Sequence, residues 1–300
     1  MLSKKKEFIF TLLLLLTAAV WGSTFVIIKD VQQVIPQCFV LAIRFSIAAV
    51  GLSYYVWQKR AQLDRNLIIS GIITGVLLFT AFFVQTWGLS FTTASKNAIL
   101  SQANVVFVPL LLWLLGREKM TIKTGFTVAL CFLGILIISP PELTGVNKGD
   151  MISLLGGFFY GAHIVAVAIC SRKVEIMPLT CLQFFFASIC AWSMGLATSE
   201  FPTALPTSAC VAMVWLSVVA TLVAMTLMNL GIKYVSSTKT TIILSTESLF
   251  GCMFGIVVHN DPLTLPICIG FVVVMASVLL AQLGNKTNSS AQADMKAQVA

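Results

Sequence analysis

Three observations predict an all-α integral membrane protein, with ten transmembrane helices arranged as two five-helix repeats of inverted topology. The composition is 58% hydrophobic and only 10% charged, whereas soluble domains contain about 25% charged residues. The sequence also resembles itself after a shift of 143 positions. Finally, most of the cations fall on one side of the predicted topology. Together these observations place almost the whole chain in the bilayer.

The hydrophobic residues occur in long runs, and each run is interpreted as one spanning helix because about 20 apolar residues cross a bilayer. Short polar turns separate the runs and leave no room for a sizeable extramembrane domain. The ten predicted spans are residues 8–28, 37–57, 67–89, 97–116, 122–139, 151–170, 179–198, 209–230, 240–258 and 264–283. The polar composition of residues 285–300 predicts a disordered cytoplasmic tail.

The internal repeat divides the chain into two halves of five spans each, residues 1–147 and 148–284. The shift needs no gap across one span, a charged turn and the start of the next span. The aligned pairs include Gly88 with Gly231, Lys96 with Lys239, Phe107 with Phe250, Glu118 with Asp261 and Thr121 with Thr264, and a smaller correspondence joins Trp21-Gly22 to Tyr160-Gly161. Because each half holds an odd number of spans, the halves have opposite orientations, which is typical of secondary transporters.

The cations assign the orientation of the spans. With the N-terminus in the cytoplasm, 15 of the 19 Lys and Arg residues lie in cytoplasmic segments, and only Lys29, Lys96 and Lys148 lie outside. By the positive-inside rule, this bias predicts that both termini are cytoplasmic. The net charge of +8 therefore reflects membrane topology. A nucleic-acid site would need the cations clustered on one domain.

The sequence predicts neither an enzyme nor a metal or cofactor site. It contains no Gly-rich phosphate loop, no Gly-x-Ser-x-Gly and no His-Glu-x-x-His. The eight cysteines are scattered without a Cys-x-x-Cys pair, as expected of small apolar side chains. The two histidines, His163 and His259, have no carboxylate or thiol at ligand spacing. We therefore expect no catalytic residue, no metal, no cofactor and no nucleic-acid partner.

Glu247 is the carboxylate placed most clearly within a predicted span. A charged carboxylate in hydrocarbon is costly unless it is neutralised, paired or turned toward water. Glu247 is therefore interpreted either as a coupling or substrate-binding group, or as a protonated glutamate that fixes helix packing. Its repeat counterpart is Asn104 on span four. Polar groups at related positions predict a shared central cavity, and hydrogen bonding between helices is the alternative explanation.

Arg44 lies at a similar depth in span two. The favoured interpretation is that its long side chain reaches the outer surface and meets Asp30, because a buried arginine is costly and its aliphatic stem can extend along apolar surface. The alternative is that Arg44 holds the carboxylate of a substrate.

Other polar side chains within the spans form a second group of candidates. Asn97, Ser101 and Asn104 follow an i, i+4, i+7 pattern, which predicts one polar stripe on span four. Tyr160 and His163 share a face of span six, where a lone histidine is more often a packing donor than a titrating switch. Weaker candidates are Gln85, Gln183 and Asn229.

Several short motifs recur in a fixed order along the chain. They are Trp21-Gly22-Ser23 late in span one, Arg44 after Pro36, Glu118-x-x-Thr121 with Gly134, Asp261-x-x-Thr264-x5-Gly270, and Glu247 with Gly255 between it and Asp261. Their order and spacing resemble the drug/metabolite transporter superfamily, specifically its EamA-type members, over residues 8–283. The sequence departs from that pattern at Ser248, where proline is usual, at the late Pro109, and at Tyr160, where tryptophan is frequent.

The resemblance implies a multi-pass carrier of the bacterial inner membrane that exports amino acids or related small metabolites by rocking one repeat against the other. It also implies a central cavity surrounded by spans one, three, four, six, eight and nine. Candidate substrate-binding residues on those spans are Trp21, Ser23, Gln85, Asn104, Tyr160, His163, Asn229 and Glu247. Arg44 and Gln183, on spans two and seven, rank lower. The implied partners are a small-molecule substrate and the lipid bilayer, with the carrier a monomer or a homodimer.

Two other functions stay open on the sequence. Efflux of lipophilic cations or toxic compounds would use the same fold, since Glu247 beside Trp21 and Tyr160 would suit a cation as well as an amino group. A membrane-embedded enzyme or scaffold that acts on lipid belongs to a different functional class.

Overall fold

The computed structural model of the protein describes residues 2–58, 63–117, 119–138, 147–198, 202, 205–228, 235, 240 and 243–283. Within these ranges the regular secondary structure is helical, without a β-strand. The candidate Asn229 lies outside the described residues, as do the predicted tail 285–300 and the aligned residues Glu118, Gly231 and Lys239.

The helices follow one another with short connections. In chain order they are α1 (Leu2–Val31), α2 (Gln37–Gln58), α3 (Arg65–Leu89), α4 (Ala94–Ser101), α5 (Asn104–Leu114), α6 (Ile122–Ile138), α7 (Lys148–Cys170), α8 (Ile176–Thr198), α9 (Thr207–Val214), α10 (Glu247–His259) and α11 (Leu265–Leu283). A π-helical segment, Trp215–Val223, continues α9 directly.

Seven apolar helical stretches of the described chain are long enough to cross a membrane. They are Lys6–Val31, Gln37–Gln58, Arg65–Leu89, Ala94–Leu114, Lys148–Cys170, Ile176–Thr198 and Thr207–Met228. Shorter apolar helices, Ile122–Ile138, Ile243–His259 and Leu265–Leu280, lie where the sequence predicts spans five, nine and ten. Length and composition therefore support an all-helical, multi-pass membrane protein, and the total of ten spans stays a prediction.

Polar turn residues begin three of the helices. Asp64 accepts a hydrogen bond from the backbone N–H three residues later (2.8 Å) and caps α3. Thr93 and Asn147 cap α4 and α7 in the same way (3.1 Å each). At the other end, α10 stops at Asn260, which adopts the left-handed conformation (φ 52°) that asparagine tolerates better than most residues. The turns between these helices are thus specified locally.

The fourth predicted span is interrupted. α4 ends at Ser101 and α5 begins at Asn104, and i→i−3 hydrogen bonds from the N–H groups of residues 102 and 103 (3.2 and 3.1 Å) close the turn between them. Such a turn advances about 120° per residue instead of about 100°, so its two residues rotate the following helix by only about 40°. The predicted polar stripe therefore crosses the break, with Asn97 and Ser101 on α4 and Asn104 on the next helix.

The two sequence halves are interleaved. Among the described helices, α1 lies against α10, α3 lies against α7 and α8, and α2 lies against α8. Contacts between helices of the same half are fewer. Within the described residues, each half therefore packs mainly against the other half.

Gly22 allows the backbones of α1 and α10 to touch. A Cβ atom added at Gly22 would lie 2.5 Å from Phe250 Cβ and 2.9 Å from the carbonyl oxygen of Glu247. Both distances are shorter than van der Waals contact, so any larger residue would separate the two helices.

Gly161 makes the corresponding contact between α7 and α5. A Cβ atom added there would lie 3.0 Å from Phe107 Cβ and 3.3 Å from the carbonyl oxygen of Asn104. Phe107 and Asn104 are the residues that the shift of 143 aligns with the neighbours of Gly22 on α10. The sequence correspondence between Trp21-Gly22 and Tyr160-Gly161 thus has a matching pair of helix contacts in the structure.

α6 and α11 form a separate pair. A Cβ atom added at Gly134 would lie 3.1 Å from the carbonyl oxygen of Gly270, and one added at Gly270 would lie 2.8 Å from the carbonyl oxygen of Gly134. The contact is reciprocal, and both helices have few other neighbours in the described chain. That spans five and ten do not line a central cavity stays a prediction.

Large apolar side chains cover the outer surface of the helix bundle. On α3, for example, Ile68, Ile72 and Val76 lie on one face and are 41%, 41% and 43% exposed. Water-soluble monomers rarely expose contiguous apolar patches of this kind. The surface is therefore the one expected of helices in contact with lipid.

Candidate functional site

Arg44 is buried inside the bundle, which overturns the favoured interpretation from the sequence. The residue is 3% exposed, and its Nε donates a hydrogen bond to Thr221 Oγ1 (2.5 Å). Its guanidinium carbon lies 4.7 Å from the centre of the Phe82 ring. Asp30, the partner that we expected, instead lies 3.2 Å from His259 Nε2. The prediction failed because the π segment and α3 supply polar and aromatic partners that keep the side chain inside.

The hydrogen bonding of Arg44 is incomplete within the described residues. Its Nη1 atom is buried and has no hydrogen-bond partner there. A guanidinium group carries five N–H donors and no acceptor, and a buried charged donor without a partner is costly. Arg44 is thus a charged group held in place by Thr221 with part of its donor set unused.

Glu247 lies on the same side of the bundle interior as Arg44. It is the first residue of α10, is half-buried, and is fixed in position by the contact of its backbone with Gly22. The Gly22 contact lies beside Trp21, whose Nε1 bonds to the carbonyl oxygen of Ala220, next to the Arg44 partner Thr221. No direct ion pair joins Arg44 to Glu247, although the structure describes both residues. The positive end of the α10 dipole also interacts favourably with a carboxylate at this position.

Tyr160 connects this region to spans three and four. Its hydroxyl donates to Gln85 Oε1 (3.0 Å), and Gln85 Nε2 donates to Ser101 Oγ (2.9 Å). The ring of Tyr160 lies 5.1 Å from that of Phe82, which also contacts Arg44. Four residues named from the sequence and one that was missed therefore form a continuous chain of contacts.

The tryptophan of α1 holds the π segment in place. Trp21 Nε1 donates to the carbonyl oxygen of Ala220 (2.7 Å), next to Thr221. Ser23 Oγ accepts a hydrogen bond from Trp215 Nε1 (3.2 Å) at the start of the same segment. Trp21 and Ser23, both candidates from the sequence, thus form hydrogen bonds with the π segment that positions Arg44.

The remaining sequence candidates lie in other surroundings. His163 is 9% exposed and its Nε2 pairs with Gln183 Oε1 (3.1 Å), a contact between α7 and α8. This arrangement agrees with the packing interpretation of His163. Asn104 makes no side-chain hydrogen bond among the described residues, and its backbone lies at the Gly161 contact. Asn229 lies outside the described residues.

Two site residues were missed in the sequence. Thr221 and Phe82 lie in apolar runs that contain several other threonines and phenylalanines. The one signal that singles out Thr221 is structural, since the π segment directs its hydroxyl to the carbonyl oxygen five residues earlier, Leu216 O (2.8 Å), as well as to Arg44. π-Helical turns occur frequently at functional sites.

The end of the bundle that is predicted to face outward carries a separate polar network. Asp150 on α7 pairs with Lys96 on α4 (3.1 Å) and accepts a hydrogen bond from Thr92. Lys29 at the end of α1 donates to the carbonyl oxygen of Thr92 (2.8 Å). These contacts tie the ends of three helices together.

Asp261 ties the fourth helix to the same end. Its Oδ2 accepts hydrogen bonds from the backbone N–H (2.8 Å) and the hydroxyl (2.7 Å) of Ser95. Gly255 leaves the space for this contact, since an added Cβ atom would lie 2.5 Å from the carboxylate. The ends of α1, α4, α7 and α10 are therefore joined by charged and polar contacts.

The same end carries a groove with a volume of about 340 Å³, bordered by Gln32, Pro36, Gln37, Cys38, Phe83, Trp87, Ser90, Met194 and Thr198. None of the candidate substrate-binding residues borders it. Within the described ranges, no group of three or more His, Cys, Asp or Glu side chains is placed to hold a metal ion.

Comparison with known proteins decides the family. The model of the EamA-like transporter family matches residues 9–139 and again residues 147–283. The chain belongs to the EamA-like transporter family. The resemblance drawn from the sequence motifs is thereby confirmed, and this EamA-family protein is a multi-pass membrane transporter.

Relatives of this EamA-family protein are found in archaea and bacteria. It is 26% identical over 273 residues to a protein of Archaeoglobus fulgidus named an uncharacterized transporter, covering 90% of this chain and 84% of that protein. It is 24% identical over 191 residues to a probable amino-acid metabolite efflux pump of Escherichia coli, covering 59% and 62% of the two chains. A solved crystal structure superposes with a TM-score of 0.59 at 15% identity, covering 91% of this chain and 96% of that chain. At that identity the superposition shows the fold alone.

Proposed function

We propose that this EamA-family transporter exports amino acids or related small metabolites across the bacterial inner membrane, by alternating access to a site between its two halves. The observation that carries the proposal is the cluster of Arg44, Glu247 and Tyr160 inside an apolar helix bundle. Ionisable residues within membrane spans are expensive, and they commonly mark the path of a substrate or ion. The name of the Escherichia coli relative supports the same substrate class.

The position of the cluster also suits a transporter. Arg44 and Tyr160 come from different sequence halves, and Glu247 lies where α10 of the second half meets α1 of the first half. In secondary transporters, substrate sites lie between repeats, and relative motion of helices opens them to one side at a time. The contacts of Lys96 with Asp150 and of Ser95 with Asp261 would close the outer end while the site opens to the cytoplasm.

The export of lipophilic cations is less compatible with the structure. The aromatic rings of Phe82 and Tyr160 would favour a cation. Arg44, however, lies 4.7 Å from the same Phe82 ring, and its positive charge would repel one. The proposal therefore favours a substrate that carries a negative group.

Flux through proteoliposomes tests the function. Purified protein is reconstituted, loaded with one unlabelled amino acid at a time, and assayed for counterflow uptake of the same radiolabelled amino acid. The panel comprises the twenty amino acids of proteins, with tetraphenylphosphonium as the lipophilic cation and protein-free liposomes as the control. We expect at least one amino acid to exchange. Exchange of tetraphenylphosphonium alone would favour the cation alternative, and chemical modification of the lipid would favour the enzyme alternative.

A further inference from the structure

We infer that Arg44 and Glu247 form a two-ended site for a zwitterion, in which Arg44 binds the carboxylate of the cargo and Glu247 binds its ammonium group. The inference rests on the proposed function and names the chemical class of the substrate at the same site. Under this inference Arg44 binds the substrate, although its position in span two made it a weaker candidate in the sequence.

The unused donors of Arg44 define one end of the site. Nε is occupied by Thr221, and the face of the guanidinium group is covered by Phe82. Nη1 is buried and has no partner in the described structure. A carboxylate is the group that best satisfies the terminal nitrogens of arginine, because two parallel N–H···O bonds match its geometry. The cargo must therefore present a carboxylate to this end.

The position of Glu247 on α10 defines the other end. Arg44 is held by the hydrogen bond to Thr221 on the π segment, and Glu247 is held by the backbone contact of α10 with Gly22. The described structure shows no ion pair between them, although each is the obvious partner of the other. Packing thus keeps the guanidinium group and the carboxyl group apart inside the bundle. A molecule that carries both a carboxylate and an ammonium group completes both pairs when its carboxylate faces Arg44 and its ammonium group faces Glu247.

Charge balance argues for the same cargo. A zwitterion adds no net charge, so the region around Arg44 and Glu247 has the same total charge when it is empty and when it is occupied. An amine alone would leave the carboxylate end unfilled, and an acid alone would leave Glu247 without a partner. Each unpaired charge in the membrane interior costs several kcal/mol. The site therefore selects molecules that carry both groups over those that carry one.

Aromatic rings supply the apolar surface beside the Arg44 end of the site. Phe82 and Tyr160 pack against each other (5.1 Å between ring centres) beside Arg44. Trp21 lies on the adjacent face of α1, with its Nε1 already bonded to Ala220. These rings offer contact area without an unused donor, as expected for the apolar part of a small zwitterion. An α-amino acid with an uncharged side chain combines these features.

The test uses competition by matched analogues in the wild-type protein. The labelled probe is the amino acid of the panel that exchanges fastest, and its competitors are the decarboxylated amine and the deaminated acid. For L-leucine these are 3-methylbutylamine and 4-methylpentanoate. We expect each analogue to compete at least about tenfold more weakly than the parent, because a desolvated charge pair is lost in each case. Equal competition by either analogue would overturn the inference and leave amino-acid export standing. Failure of every amino acid to exchange would overturn the proposed function itself.

Two variants assign the ends of the site. In Arg44→Gln the advantage of the amino acid over its amine should disappear, and in Glu247→Gln the advantage over the deaminated acid should disappear. If Arg44 and Glu247 had only structural roles, each substitution would weaken the binding of the amino acid, the amine and the deaminated acid equally. That result would contradict the inference. Arg172→Gln and Glu175→Gln, at exposed positions of the chain, are the matched controls and should keep the wild-type order. If either site variant fails to fold, Arg44→Lys or Glu247→Asp, which keeps the charge, replaces it. Arg44→Lys should reduce only the advantage over the amine and Glu247→Asp only the advantage over the deaminated acid, and equal reduction of both advantages would overturn the inference.

Discussion

At the scale of single residues, the geometry of Arg44 depends on one hydroxyl. Thr221→Val keeps the shape of the side chain and removes the acceptor of Arg44 Nε. We expect a loss of about 1–3 kcal/mol in unfolding free energy, because a buried charged donor loses its partner. Amino-acid exchange should weaken with it. The measurements are detergent-based thermal unfolding and counterflow.

Thr226→Val is the control for that change. Thr226 Oγ1 donates to the carbonyl oxygen of Leu222 within its own helix (2.8 Å) and contacts no charged group in the described structure. Its substitution should leave both measurements near the wild-type values. Thr221→Ser, which retains the hydroxyl, should restore most of the activity. Equal effects at positions 221 and 226 would show that the hydrogen bond to Arg44 is not important.

Trp21 joins α1 to the π segment and offers its ring to the site. Trp21→Phe keeps an aromatic surface and removes the hydrogen bond to Ala220, so we expect a modest loss of stability, about 1 kcal/mol, with exchange retained. Trp21→Ala removes the ring as well and should abolish exchange while the protein still elutes as a single species in gel filtration. If Trp21→Ala aggregates and Trp21→Phe is fully active, the residue serves packing only.

The limits of sequence reasoning are clearest at Arg44. Snorkelling is the usual solution for an arginine in a membrane span, and whether it applies depends on what surrounds the side chain. Here the decisive partner lies 177 positions away in the sequence. Glu247 and Tyr160, by contrast, could be named because a carboxylate and a glycine-flanked aromatic stand out in apolar runs. Phe82 and Thr221 do not stand out in this way.

At the scale of helices, the close contact at Gly22 makes a sharp prediction. Gly22→Ala would place a methyl group 2.5 Å from Phe250 Cβ, so α1 and α10 must separate. We expect a loss of more than about 1 kcal/mol in stability and slower exchange, since the backbone of Glu247 shifts. Thermal unfolding and counterflow measure the two effects.

Gly125→Ala is the matched control on α6, because a Cβ atom added there meets no atom within 4 Å. It should leave stability unchanged or raise it by up to about 1 kcal/mol, since alanine favours helix over glycine. Gly161→Ala should fall between the two, because its nearest contact is longer (3.0 Å). The reverse order of stabilities would mean that these glycines do not set the helix spacing.

Sequence patterns predicted most of the apolar helices but not their interruptions. Each long apolar run forms a helix within a few residues of its predicted limits where the structure describes it. The π segment Trp215–Val223 has no such signal, because it occurs within continuous apolar sequence. The turn at residues 102–103 falls in the run Ser-Gln-Ala-Asn at residues 101–104, which does not by itself predict a break in a helix. Gly157 lies beside the carbonyl groups at the end of α4, where this turn begins.

At the scale of the whole molecule, the cation distribution predicts which side each turn faces. Residues 148 and 119 are both exposed lysines, near the two opposite ends of the bundle. In a background without the native cysteines, Lys148→Cys should react with an impermeant maleimide in intact cells, whereas Lys119→Cys should react only after permeabilisation. The opposite pattern at either position would refute the proposed orientation and, with it, the inverted arrangement of the halves.

The residues that replace the native cysteines in the cysteine-free background must suit buried positions. Cys38, Cys131, Cys181 and Cys252 are buried in the described structure and behave as small apolar side chains. Replacement by alanine preserves that character, whereas serine would add a buried hydroxyl. Wild-type exchange activity of the background is therefore the control that must precede the labelling.

The interleaving of the halves also bears on how the protein is made. When the first half leaves the ribosome, the glycine face of α1 has no cover, because α10 is still to be synthesised. The early helices must therefore stay in the bilayer without their partners, shielded by lipid or by the insertion machinery, until the later helices have been synthesised. The first half expressed alone would keep these surfaces open and become a substrate for quality-control proteases. Co-expression of the second half as a separate polypeptide would rescue it.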